Sequence, residues 1–133
     1  MELLVAFATD DGKLFMNRHF GDAKLYVIYK ISKSDIQFVE KVENTTSPEK
    51  QHADPEKAKG IIGLLKKKGV QVAVTKNFGP NIQRIKSVFV CVCIKEDSID
   101  EGTKTVQKHL QSIYYEWLLG EKRNLLNFRG NKR

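Results

Sequence analysis

The sequence predicts an α/β fold: a three-layer α/β/α sandwich around a five-stranded mixed sheet, with its elements in the order βββαβαβα. Three observations predict it. Three strand-like segments lie early in the chain with only short polar links between them. Two later apolar runs, residues 70–75 and 88–94, each follow a helical pattern. A last amphipathic helix follows the second run. Early strands on short links form an antiparallel meander, whereas strands separated by helices lie parallel in the same sheet.

Residues 3–8 (LLVAFA) are a continuous apolar run that stops at Thr9-Asp10-Asp11-Gly12, a buried strand and its turn. A polar loop over 13–23 leads to 24–31 (KLYVIYKI), a second strand rich in Tyr, Val and Ile. Ser32 to Asp35 supplies turn chemistry, and 36–42 alternates apolar and polar residues as the third strand. After the polar connection 44–53, Asp54 can cap a helix with Pro55 at its first position. Ala58, Ile61, Ile62 and Leu65 then fall on one helical face, and Gly69 ends the helix. Residues 70–75 (VQVAVT) form the fourth strand. Gly79-Pro80 opens a short helix to about Lys86, and 88–94 (VFVCVCI) is the fifth strand, buried on both faces. Ser98 and Glu101 make a capping box that opens one long helix. Its buried face carries Val106, Leu110, Ile113, Tyr114 and Trp117, and Gly120 closes it.

The 133 residues, 41% of them hydrophobic, suit a single domain. A chain of this size buries about two-thirds of its unfolded surface. The domain is expected over residues 1–119, with 120–133 a basic, flexible tail. Lys122, Arg123, Arg129, Lys132 and Arg133 against Glu121 put +4 of the +7 formal charge in that tail. Only +3 is left on 1–119, so the charge does not predict nucleic acid as a partner. No apolar run approaches the ~20 residues of a membrane helix, and no secretory leader is visible. The two cysteines, Cys91 and Cys93, are too close along the chain for an ordinary disulfide, which predicts a reducing, cytoplasmic setting.

In this topology the first, third, fourth and fifth strands point one way. Their carboxyl ends, with loops 10–23, 44–54, 76–80 and 95–98, share the edge where open α/β sheets bind ligands. His19, His52, Cys93 and the Gly79-Pro80 helix start converge there. Imidazole and thiolate suit iron and iron–sulfur species, and backbone N–H groups at a helix start suit an anion. Lys13, Arg18, Lys24, Lys76 and Arg84 could add positive potential. Each group also has a plainer reading: the histidines as surface residues, the cysteines as small core residues, and Gly-Pro as a turn. His109, mid-helix, reads as a surface residue. No Walker loop, GxSxG, HExxH or CxxC is present, so no enzyme is predicted.

V-A-F-A-T-D-D-G-K, H-F-G-D-A at 19–23, V-E-N-T at 42–45, His52 and G-V-Q-V-A-V-T-K-N-F-G-P at 69–80 resemble the dinitrogenase iron–molybdenum cofactor biosynthesis family. The resemblance covers residues 3–95 in the family's order. It implies a ribonuclease H-like fold and non-catalytic carriage of an anionic iron–sulfur or iron–molybdenum cluster between donor and acceptor proteins. On that resemblance His19 is the prime ligand and His52 a second. Phe20 and Gly21 would shape the loop, and Asn77 and Gly79 would belong to the binding segment. Cys93 is a further candidate ligand from its place near the strand end, since neither cysteine belongs to the family's pattern. Two alternatives stand beside it. One is a regulatory or scaffolding module without metal. The other is a nuclease on the same fold, for which Asp10 and Asp11 are the available carboxylates.

Overall fold

The computed structural model describes residues 1–44 and 55–129, the side chains of 55–59 excepted. One mixed sheet of six strands runs in the order β3-β2-β1-β4-β5-β6. β1 (Glu2–Thr9) pairs antiparallel with β2 (Leu25–Ser32), and β2 antiparallel with β3 (Ile36–Glu43). On the other side of β1 stand β4 (Val72–Thr75), β5 (Val90–Ile94) and β6 (Leu126–Phe128), each parallel to the strand before it. The meander and the parallel half therefore follow the expected pattern, and the carboxyl ends of five strands open on one edge.

Strand periodicity divides the core in two. Ala6, Ala8, Ala73, Cys91 and Cys93 face one side, under Ile61 and Leu65 of α1 (Pro55–Lys67) and Ile85 of α2 (Ile82–Lys86). Leu3, Val5, Phe7, Val72, Val74, Val90 and Val92 face the other, under Val106 of α3 (Ile99–Lys108) and Leu110 and Ile113 of α4 (Leu110–Leu118). Caps mark the ends as the sequence predicts. Ser98 Oγ accepts the Glu101 N–H at 3.1 Å, and Gly69 leaves α1 at φ +85°. The Asp54 cap lies outside the described residues.

Two expectations need correction. The sheet has six strands, not five, because residues 126–128 of the presumed tail add to the β5 edge. Long-range anchors hold this segment. The Arg123 guanidinium is buried, donates to Ser87 O and Trp117 O (both 3.1 Å), and lies 4.4 Å from the Trp117 ring centroid. Phe128 stacks on His109 at 4.1 Å. A three-residue strand shows almost no periodicity of its own. The long helix is also two. His109, at φ −105° and ψ 20°, caps α3 and begins α4. Its carbonyl still accepts the Ile113 N–H at 3.1 Å, and the apolar face runs on from Val106 to Leu110 and Ile113. The hydrophobic pattern thus survives a break that it cannot reveal.

Candidate functional site

The carboxyl edge is built from three loops. The first leaves β1 through Thr9, whose Oγ1 donates to Leu14 O and accepts the Gly12 N–H at 3.0 Å. Asp11 Oδ1 accepts the N–H groups of Lys13 and Leu14 at 2.8 and 2.9 Å, and these bonds hold its carboxyl below the usual range. Arg18 Nη2 reaches both oxygens of Asp10, at 2.6 and 2.7 Å, and Asp10 also accepts the Lys24 N–H. Both carboxylates are thus engaged in shaping the loop. Two-metal phosphoryl transfer needs a cluster of carboxylates, and these two are turned to other work. Phe15 N–H to Asp97 O and Ile99 N–H to Lys13 O (2.9 and 2.8 Å) tie the loop to the β5–α3 connection.

His19 stands at the head of a single 3-10 turn, Phe20–Asp22, whose last N–H returns to His19 O at 2.8 Å. Phe20 is fully buried, its ring 5.1 Å from Tyr26 and 5.4 Å from Phe78. Its N–H donates to Asn77 O at 2.9 Å, and its carbonyl accepts the Tyr26 hydroxyl at 2.8 Å. Burial, with the Asp22 charge, pushes the Tyr26 phenol upward, so this donor keeps its proton. Asn44 Nδ2 donates to Gly21 O and Ala23 O. Asn44 stands in the V-E-N-T segment, so that motif serves to hold the His19 turn.

The β4–α2 loop meets this turn directly. Gly79 has φ +77°, and a Cβ there would lie 2.5 Å from His19 Cγ and Nδ1. The imidazole rests in space that only glycine leaves open. The Gly79 N–H donates to Asn77 Oδ1 at 3.1 Å, Pro80 has none, and α2 is five residues long. Gly79 therefore seats the histidine instead of offering its N–H outward. His19, Phe20, Gly21, Asn77 and Gly79, dispersed in the sequence, form one contiguous unit.

Cys93 lies in the same core layer as Phe20 and Phe78, in register with Thr75 of β4 and Asn127 of β6, and is 4% exposed. Burial pushes its thiol up, with Arg129 opposing that shift. Cys91 is buried more deeply and its thiol is raised further, chiefly by desolvation. His52 lies outside the described residues. Among the described residues, no group of three or more His, Cys, Asp or Glu side chains could hold a metal ion. The sequence reading missed Arg129 as a residue of this edge. Its Nη1 donates to Lys76 O at 3.4 Å, and Lys76 in turn pairs with Asp97. A separate cleft of about 320 Å³, lined by Met1, Lys33, Gln107, Lys108, Leu110 and Gln111, lies at the opposite, amino-terminal edge of the sheet.

The buried thiols carry a pH prediction. A thiol raised above its ordinary value of 9.0 contributes stability that is complete below that value and is lost as pH rises toward the folded one. Urea midpoints should hold up to about pH 9 and decline above it, and Cys91→Ala should flatten part of the decline. An unchanged slope in that variant would show that Cys91 ionises as readily folded as unfolded.

A family model described as dinitrogenase iron-molybdenum cofactor matches residues 1–109. No curated protein matches the chain. Among solved structures, a Methanocaldococcus jannaschii chain provisionally described as a dinitrogenase is similar in fold. It superposes with a TM-score of 0.58 at 18% identity, over 81% of this chain and 90% of that one. Among the described residues, no helix is long and apolar enough to cross a membrane.

Proposed function

The chain belongs to the dinitrogenase iron-molybdenum cofactor family, and from that premise we propose that it binds and carries an anionic iron–sulfur or iron–molybdenum cluster as cargo, without catalysis. The observation that carries this reading is the seating of His19 on Gly79 at the carboxyl edge of the sheet. An imidazole held in one place and only partly buried is suited to ligate iron. Lys24 and Arg129 supply positive potential around it, Arg18 and Lys76 being paired with Asp10 and Asp97. A carrier must release its cargo, so one or two protein ligands suffice and a closed cage would be a disadvantage. Cys93, beneath the same loops, is the second candidate ligand. It would have to lose its proton on binding. His52 is the third.

The sheet order with an antiparallel second strand supports a ribonuclease H-like assignment. The free Cys91 and Cys93 support a reducing, cytoplasmic setting, with cluster donor and acceptor proteins as partners. A second reading, a metal-free interaction module, is favoured by the exposed Tyr115 and Leu118 of α4 and Leu119 at its C-cap.

The test is anaerobic. The wild type, His19→Ala and Cys93→Ser are offered a thiolate-capped [4Fe–4S] cluster, and bound iron and visible absorption are recorded. Stoichiometric uptake that falls at least tenfold in His19→Ala is expected. Loss only in Cys93→Ser would keep the carrier and move its ligand. No uptake by the wild type would overturn the carrier in favour of the interaction module.

A further inference from the structure

The segment after α4 does more than extend the sheet. Arg123 pins its start to Ser87 and Trp117, and the Phe128–His109 stack pins its end. Between them Leu126, Asn127 and Phe128 pair with Val92, Cys93 and Ile94, so the next residue passes the carboxyl end of β5. That residue is Arg129. Its backbone N–H and its Nε both donate to Asn127 Oδ1, at 3.0 and 3.2 Å, which folds the side chain back along the edge. Its Nη1 then reaches Lys76 O.

The Lys76–Gly79 loop is thus held on two flanks. Phe20 N–H meets Asn77 O and His19 sits on Gly79 on one side, and Arg129 meets Lys76 O on the other. Among the described residues the Arg129 guanidinium contacts only neutral oxygens, whereas Arg18 and Lys76 both have carboxylate partners. An uncompensated, exposed guanidinium is a ready contact for an anion. The family match ends at residue 109, so this arm lies beyond the matched span.

We propose that β6 is a clasp which carries the Arg129 guanidinium to the His19–Gly79 edge as a cationic contact for the anionic cargo, so that docking of the arm and binding of the cargo reinforce each other. The inference rests on the carrier reading. The arm adds to β5 by only three residues. A ligand that touches both the loop and Arg129 stabilises the docked arm by the same factor by which the docked arm tightens the ligand.

The probe is the same thiolate-capped [4Fe–4S] cluster, titrated anaerobically into the full chain and into Arg129→Gln, Arg129→Lys, Phe128→Ala and His19→Ala. Amide hydrogen exchange at 126–128 is followed with and without cluster, and circular dichroism checks each fold. Arg129→Gln should weaken binding about tenfold, the scale of one charge-assisted hydrogen bond near water. Arg129→Lys should recover part of the loss. Phe128→Ala, which removes no charge, should weaken binding similarly by undocking the arm, and the cluster should slow exchange at 126–128 in the wild type. The clasp is overturned, with the carrier intact, if His19→Ala loses the cluster while Arg129→Gln binds as the wild type and exchange in the arm ignores the cluster. A wild type that takes up no cluster overturns the carrier reading and the clasp with it.

Discussion

Phe20→Ala is expected to destabilise the fold by about 3–5 kcal/mol, read as a lowered urea midpoint with an unchanged slope. The ring is fully buried between Tyr26 and Phe78, so truncation leaves a cavity lined by two aromatic rings that cannot both move in. The backbone of the same residue anchors the loop through Asn77 O and the Tyr26 hydroxyl. Losing the ring loosens bonds that hold His19 as well as the core. Phe20→Leu keeps most of the apolar volume and should cost about 1.5 kcal/mol or less. If Phe20 positions the turn and makes no contact with cargo, Phe20→Leu should keep cluster uptake near that of the wild type. A cost below about 1.5 kcal/mol for Phe20→Ala would mean that the turn is held by its hydrogen bonds alone.

How much of this was legible follows from the range of each interaction. The meander, the crossovers into β4 and β5 and the Ser98 capping box rest on local periodicity and local hydrogen bonding, so they can be read directly. The break at His109 is invisible because Val106, Leu110 and Ile113 keep one apolar face through it. β6 is invisible for a different reason. Its three residues carry almost no pattern, and what docks them is Arg123 on Ser87 and Phe128 on His109, pairings between distant positions. Arg123 and Arg129 looked alike as tail charges, yet one is buried as a structural pin and the other is exposed at the site edge. The convergence of His19 with Asn77 and Gly79 followed from strand direction alone. Their mode of contact did not. Gly-Pro suggested a helix start presenting N–H groups, but whether a glycine exposes its amide or makes room for a ring depends on a positive φ that the sequence permits without requiring. Asn44 lies in the V-E-N-T segment, and only the folded hairpin shows that its side chain closes the turn through Gly21 O and Ala23 O.

Gly79→Ala should cost about 2–4 kcal/mol and should abolish cluster uptake without altering His19 itself. Two effects add. An alanine at φ +77° carries a left-handed backbone penalty of about 1–2 kcal/mol. Its methyl group would also stand 2.5 Å from His19 Cγ and Nδ1, inside contact distance, so the ring must leave. Displacing it strains a turn already tied by Phe20 N–H to Asn77 O and by Asp22 N–H to His19 O. A double-mutant cycle separates the two effects. In a His19→Ala background the clash is gone, and Gly79→Ala should then cost only the backbone penalty. The two sites would be coupled by about 1–3 kcal/mol. Additive costs would show that the ring turns aside freely, and the seat would then have no claim to pre-organise a ligand. Coupling in stability, together with loss of uptake in Gly79→Ala, would tie the seat to its cargo. The glycine has no side chain to offer iron and its N–H is held by Asn77 Oδ1, so its effect on uptake runs through the loop backbone and where that lets the imidazole lie.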